Sequence, residues 1–310
     1  MLDAEKVRRD LRDLWDSLGR EHEGGVLRAC ALTLIVVAKD QSDAEAVRQT
    51  LGIVMHRHPS RAFVVRIDAD SREPEAHVFA ECWMPFGRHQ QICAEGVEIS
   101  AAALQLPEVA RVLSPLRVAD LPSIVWLRSD HDDFDDESFA PIFDLADKVI
   151  LDSTTAEWDD AIRSLRTLRN QGRRIADLAW TSITGWRETL SHLVEDGLLD
   201  PNAIRRVHLS HGGERPDPSV RYFATWMRNA VPNVETVFER QTGDAGLLAI
   251  RIEGSGAEVS LSLRDGPSLD VRVADHHDYS PLPPDTLDAL LDQELNLLRP
   301  DSVFDKVLAG

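Results

Sequence analysis

Four short clusters in this sequence hold residue types able to do chemistry. The first is His58-Pro59-Ser60-Arg61. Its proline stiffens a turn, and the planar guanidinium of Arg61 suits two parallel bonds to a carboxylate or phosphate. The same tetrapeptide also serves as a rigid turn before a strand. Ligands of open α/β sheets lie outside the carboxyl ends of strands, and this motif precedes its strand. The second cluster, Asp152-Ser153-Thr154-Thr155, follows a strand and opens a helix. Backbone N–H groups there can hold an anion, or one side chain caps the helix. The third is His208-Leu209-Ser210-His211. On a strand its two histidines point to opposite faces, and neither a cysteine nor a third histidine completes a metal set. His276-His277 has the same weakness. The fourth is Cys93 in QICAEGVEI, read either as a small buried hydrophobe or as a redox-sensitive thiol. Beside these stands Trp83-Met84-Pro85-Phe86, which places apolar bulk in a turn. Tryptophan and arginine dominate interface hot spots, so this tip is a candidate partner contact. Trp126, Trp180, Trp186 and Trp226 lie on apolar faces and read mainly as core.

The usual enzyme signatures are missing. The sequence has no GxGxxG after a strand, no GxxxxGK[ST], no GxSxG and no HExxH. No cofactor, metal or catalytic residue is expected.

The elements that must position these clusters divide at about residue 175. In the first part, residues 3–18 read as a helix with Leu11, Leu14, Trp15 and Leu18 on one face, ended by Gly19 and Gly24-Gly25. Residues 29–38 form an apolar, β-branched run, as in a strand buried on both faces of a parallel sheet. A helix over 42–56 follows, capped by Ser42 with Glu45 in the capping-box position, and then a strand over 62–68. That is a βαβ unit. Residues 76–83 and 89–99 read as an antiparallel hairpin, and 101–113 as a helix. Residues 123–128 and 148–152 read as further buried strands, and a helix begins near Thr155. The acidic run Asp130–Glu137 reads as a solvated loop or helix entry. In the second part, 177–196 is mostly helical, 204–210 a strand and 218–231 an amphipathic helix. Segments 234–239, 246–252, 257–263 and 268–273, with glycine turns, read as an antiparallel meander. A helix over 284–298 and a short one after Pro300 close the chain. The expected fold is an α/β domain with a largely parallel sheet over 1–175 and an α+β domain with antiparallel strands over 176–310.

The chain has 310 residues and a net charge of −19, from 53 acids against 34 bases. Phosphate neutralisation dominates nucleic-acid affinity, and anionic lipid would repel such a chain, so neither partner is expected. The longest apolar run, Ala29–Ala38, is too short to span a bilayer. The charged N-terminal stretch reads as an amphipathic helix rather than a signal peptide. Three cysteines, Cys30, Cys82 and Cys93, with no CxxC, read as thiols of a reducing compartment rather than a disulfide framework. A cytoplasmic location is expected.

Six segments in order resemble the glucose-6-phosphate dehydrogenase assembly protein (OpcA) family. They are RACALTLIVVA (28–38), HPSR (58–61), QICAEGVEI (91–99), SPLRVADLPSIVWLR (114–128), DKVILDSTTAEW (147–158) and DLAWTSITGWRETL (177–190). SVRYFATWMRNAV (219–231) also fits. The resemblance implies a non-catalytic factor that binds glucose-6-phosphate dehydrogenase and promotes its active state in the oxidative pentose phosphate pathway. In some members cysteines link this to redox control. This sequence has Cys93-Ala94 where the family usually has paired cysteines. The candidate contacts are His58, Arg61, Trp83, Phe86, Glu95, Trp126 and Arg128, with Cys93 as the redox candidate. The alternatives are a sugar-phosphate-binding enzyme or metabolite sensor using Arg61, Arg128 and the helix start at Ser153, and a structural scaffold.

Overall fold

The computed structural model describes residues 2–21, 25–85, 90–128, 134–254, 258–264 and 267–310. They form two compact units, one of residues 1–151 and 167–175, the other of 152–166 and 176–310.

Unit 1 begins with α1 (Ala4–Glu21), β1 (Val26–Arg28), β2 (Leu32–Ala38), α2 (Gln41–Val54) and β3 (Ser60–Ile67). β4 (Glu75–Trp83), β5 (Gln91–Ala101), α3 (Leu106–Leu113), β6 (Ser123–Arg128), α4 (Ala140–Phe143) and β7 (Lys148–Leu151) follow. The chain then runs through α5 (Trp158–Asn170) and β8 (Ile175–Asp177) as it passes between the units.

The sheet order is β1-β5-β3-β2-β6-β7, continued by β8, with β4 added on β5. β1, β5, β3, β2, β6 and β7 pair in parallel, and β4 pairs antiparallel with β5. The reason is legible in β2, where all seven residues of LTLIVVA are buried. A strand with no polar face needs a strand on each side and cover above and below. Each such aliphatic side chain, once removed from water, stabilises by about 1.5–3 kcal/mol.

Local boundaries differ from the sequence expectation where side chains compete for backbone groups. α1 runs through Gly19 to Glu21. α2 is capped by Asp40, whose carboxylate accepts from the Asp43 amide, rather than by Ser42. The 101–113 segment opens as a 3-10 turn before α3. Of the acidic run, residues 130–133 lie outside the described residues, and Glu137 opens a short 3-10 turn.

Unit 2 continues with α6 (Leu178–Thr181), α7 (Thr184–Glu195), β9 (Arg206–Gly212), α8 (Pro218–Ala230) and β10 (Glu235–Arg240). It ends with β11 (Gly246–Glu253), β12 (Val259–Leu263), β13 (Ser268–Val273), β14 (His276–Pro281), α9 (Leu287–Asn296) and α10 (Ser302–Ala309).

Its sheet runs β10-β9-β11-β12-β13-β14. β11 through β14 are the antiparallel meander, extended by a strand, β14, that the sequence reading missed. β10 is a correction. It is separated from β11 by β9 and pairs with β9 in parallel. The crossover through α8 makes this possible, since a parallel pair needs a long connection.

Candidate functional site

In unit 1, Glu95 organises the most concentrated set of charged side chains. It is 3% exposed and lies on β5 one position before the Ala62–Gly96 pair, so Arg61 of β3 is its cross-strand neighbour. The Arg61 Nε donates to Glu95 at 2.5 Å. Arg28, at the end of β1, donates to the same oxygen, and the Trp15 Nε1–H donates to the other at 2.6 Å. Arg61 also donates to the carbonyl of Leu116. A buried carboxylate needs such charged partners, because desolvation otherwise costs several kcal/mol.

This cluster forms one wall of a cavity of about 370 Å³ lined by Arg8, Leu11, Arg12, Trp15, Asp16, Arg28, Arg61 and Leu116. Arg8, Leu11, Arg12 and Trp15 share one face of α1, at spacings of three and four residues. The Arg28 guanidinium lies over the Trp15 ring, 5.4 Å from its centroid. The sequence reading named Arg61 and Glu95 but missed Trp15, Arg28, Arg8 and Arg12. The signal it passed over was a pair of arginines four residues apart, interleaved with the apolar stripe of α1.

The other candidates separate. Trp126 is fully buried in β6 and presents no surface. Its indole N–H has no hydrogen-bond partner, and the Arg128 guanidinium lies 5.1 Å from its ring centroid. Arg128 is spent on Asp43, at 2.7 Å from Nε and 2.6 Å from the terminal nitrogen. Arg61 is level with Thr33 of β2 and Arg128 with Ala38, so the two stand roughly 16 Å apart along the strands. They form no common pocket. His58 lies in the turn after α2, where its amide bonds the Val54 carbonyl. Trp83 ends β4 against His56, with ring centroids 4.9 Å apart. Met84 beside it is 64% exposed, as is much of Ile53 on α2. Phe86 lies outside the described residues.

Cys93 is neither a free thiol nor a lone buried hydrophobe. It is bonded to Cys82, directly opposite it on β4, which overturns the expectation of unbridged cysteines. Only the register of the hairpin brings the two together. Cys30 is the free cysteine. Beside the disulfide, Gly96 lets the Phe79 ring lie across β5; a Cβ there would meet the ring at 2.1 Å.

In unit 2 a second buried carboxylate, Asp177, gathers neutral donors. The Ser153 amide (3.0 Å) and hydroxyl (2.5 Å), the Ala179 amide (3.1 Å) and the Tyr222 hydroxyl (2.7 Å) all donate to it. Burial raises its pKa to about 6 against the pull of these donors, and burial likewise raises that of Tyr222. Ser153 is therefore consumed inside the fold and offers no anion site. Thr154 closes a local turn on Asp152 rather than capping α5. Both ring nitrogens of His208 face carboxylates, those of Glu239 and Glu253, while His211 contacts the Gly212 carbonyl. Among the described residues no group of three or more His, Cys, Asp or Glu is placed to hold a metal.

Sequence profiles of one family match two consecutive stretches. Residues 53–170 match the glucose-6-phosphate dehydrogenase subunit N-terminal domain, and residues 173–308 match the C-terminal domain of the same subunit. The chain belongs to this family, OpcA. No match to a curated protein was found.

Among solved structures, this chain is similar to an oxidoreductase from Pseudomonas syringae (10% identity, 90% of this chain and 93% of that one, TM-score 0.54). It is equally similar to an NAD binding oxidoreductase from Klebsiella pneumoniae (10% identity, 90% and 94%, TM-score 0.54). A 3-ketoreductase from Actinomadura kijaniata follows (10% identity, 92% and 94%, TM-score 0.50). At these identities the likeness is one of fold.

A dinucleotide does not fit the corresponding place here. In doubly wound sheets the pyrophosphate sits where strand order reverses, on a helix N-terminus behind a glycine-rich turn. In this chain the order reverses at β2, between β3 and β6. The turn into α2 is Lys39-Asp40-Gln41-Ser42-Asp43, without glycine. Asp40 accepts from the Asp43 amide at 2.9 Å, and Asp43 accepts from the Lys39 amide at 3.1 Å and from Arg128. Two carboxylates stand where a pyrophosphate would need bare N–H groups.

Proposed function

We propose that this chain is a non-catalytic subunit that binds glucose-6-phosphate dehydrogenase and favours its active state, serving the oxidative pentose phosphate pathway in the cytoplasm. The observation that carries the reading is the ordered match of both subunit domains across residues 53–308. The carboxylates at the start of α2 support a non-catalytic role, because they repel the phosphates that a nicotinamide enzyme of this fold would bind there. The chain acts by binding the active state of the dehydrogenase more tightly than the inactive one. A coupling of about 1–3 kcal/mol corresponds to roughly 5–150-fold.

The contact patch we assign is Ile53, His56, Trp83 and Met84, an exposed apolar set beside an aromatic pair. Titrating the protein into the dehydrogenase of the same organism, while following NADP reduction and complex mass, tests the reading. A saturable rate increase with a heavier complex is expected, weakened about tenfold or more by Trp83→Ala. Absence of both complex and rate change refutes it. A complex without rate change leaves a scaffold.

A further inference from the structure

The arginine-lined cavity of unit 1 is a binding site for a small phosphorylated metabolite, we infer, from its charge, its donors and its size. Four arginines line it against one acid, Asp16, in a chain whose net charge is −19. Glu95 lies behind the wall and Glu5 pairs with Arg8, so the site keeps a surplus of about one positive charge (four arginines less the three carboxylates of Asp16, Glu95 and Glu5). Such a surplus within an acidic protein focuses anions locally.

The donors are held in place and not exhausted. A guanidinium has five N–H donors. Bonds to Glu95 and the Leu116 carbonyl use two from Arg61, and Glu95 takes one from Arg28. Arg8 is tied to Glu5 and the Pro115 carbonyl. Arg12 has no partner among the described residues, although it stands one turn from Arg8 on the same helix face. Like charges four apart destabilise a helix by a few tenths of a kcal/mol, a cost that a shared anion reverses.

A phosphomonoester presents a near-dianionic head with three acceptor oxygens, which matches several forks converging from α1, β1 and β3. The cavity volume suits a small molecule rather than a macromolecular segment, and Leu11, Leu116 and Trp15 supply apolar wall for its carbon skeleton. Glu95 is a positioning residue: it fixes Arg28 and Arg61 so that little side-chain entropy remains to be lost on binding.

The test uses the full chain without any dehydrogenase, so that its outcome is independent of the activator assay. Calorimetric titrations with a hexose 6-phosphate, inorganic phosphate, unphosphorylated hexose and a hexonate carboxylate compare the ligand classes. Expected is saturable binding of the hexose 6-phosphate in the millimolar range or tighter, weaker binding of phosphate alone, and none of the hexose. Arg12→Ala, at an exposed position, should fold normally and weaken binding about tenfold or more, with partial rescue in Arg12→Lys. Arg28→Lys provides a second reading at the opposite wall. No binding of either phosphate species overturns the inference. So does binding that both variants leave unchanged, or binding of the carboxylate in preference to the phosphate.

Discussion

Unit 1 and unit 2 each bury one carboxylate, and the two are built differently. Glu95 is held by two guanidiniums and an indole at the wall of a cavity. Asp177 is held by two amides and two hydroxyls, fully enclosed. Bonded to neutral donors among the described residues, Asp177 feels burial as a rise in pKa to about 6. The comparison teaches that a buried acid with cationic partners at a cavity wall organises a site, whereas one ringed by neutral donors ties segments of the fold together. Ser153, Ala179 and Tyr222 come from three stretches of chain, and Asp177 joins them.

The contrast can be broken most severely by deletion. Asp177→Ala strands four donors, and urea unfolding should show a loss of about 4 kcal/mol. Anion binding in unit 1 should survive under native conditions. Glu95→Gln should cost about 3 kcal/mol, since two guanidiniums lose their counter-charge, and should also disturb anion binding. An Asp177 variant that abolished anion binding while folded would erase the distinction.

The next effect is of similar size and depends on pH. The Asp177 carboxyl has an ordinary value of 3.8 and a folded value of about 6, so the folded state binds the proton more tightly between these. Its contribution is therefore full below about pH 4 and is lost as pH rises to 6, by about 3 kcal/mol. Chemical denaturation of the wild type and Asp177→Asn across that window should show the difference shrinking with rising pH. A constant difference would sink the assignment.

The smallest of the set concerns the hairpin beside Glu95. Cys82–Cys93 closes a short loop, with a sequence separation of 11. Reduction should lower stability by about 3 kcal/mol or less, and Cys82→Ser with Cys93→Ser should make the protein indifferent to reductant.

Much of the scaffold was legible before the structure. The uniform apolarity of β2 demanded a parallel sheet covered on both faces, and β6 and α8 fell almost where the periodicity put them. The family resemblance lay in segments whose order is fixed along the chain. Sequence pattern also showed that the turn into α2 lacks glycine.

What the sequence determined by itself is therefore the set of elements and their buried faces, because burial imposes a period that local residues must obey. The tertiary structure alone decided which residues meet. Cys82 finds Cys93 through the β4–β5 register, β9 comes between β10 and β11, Ser153 reaches Asp177, and Arg12 joins Arg28 and Arg61 around one cavity. These are long-range pairings, set by the closure of whole sheets and helices, and no local spacing encodes them.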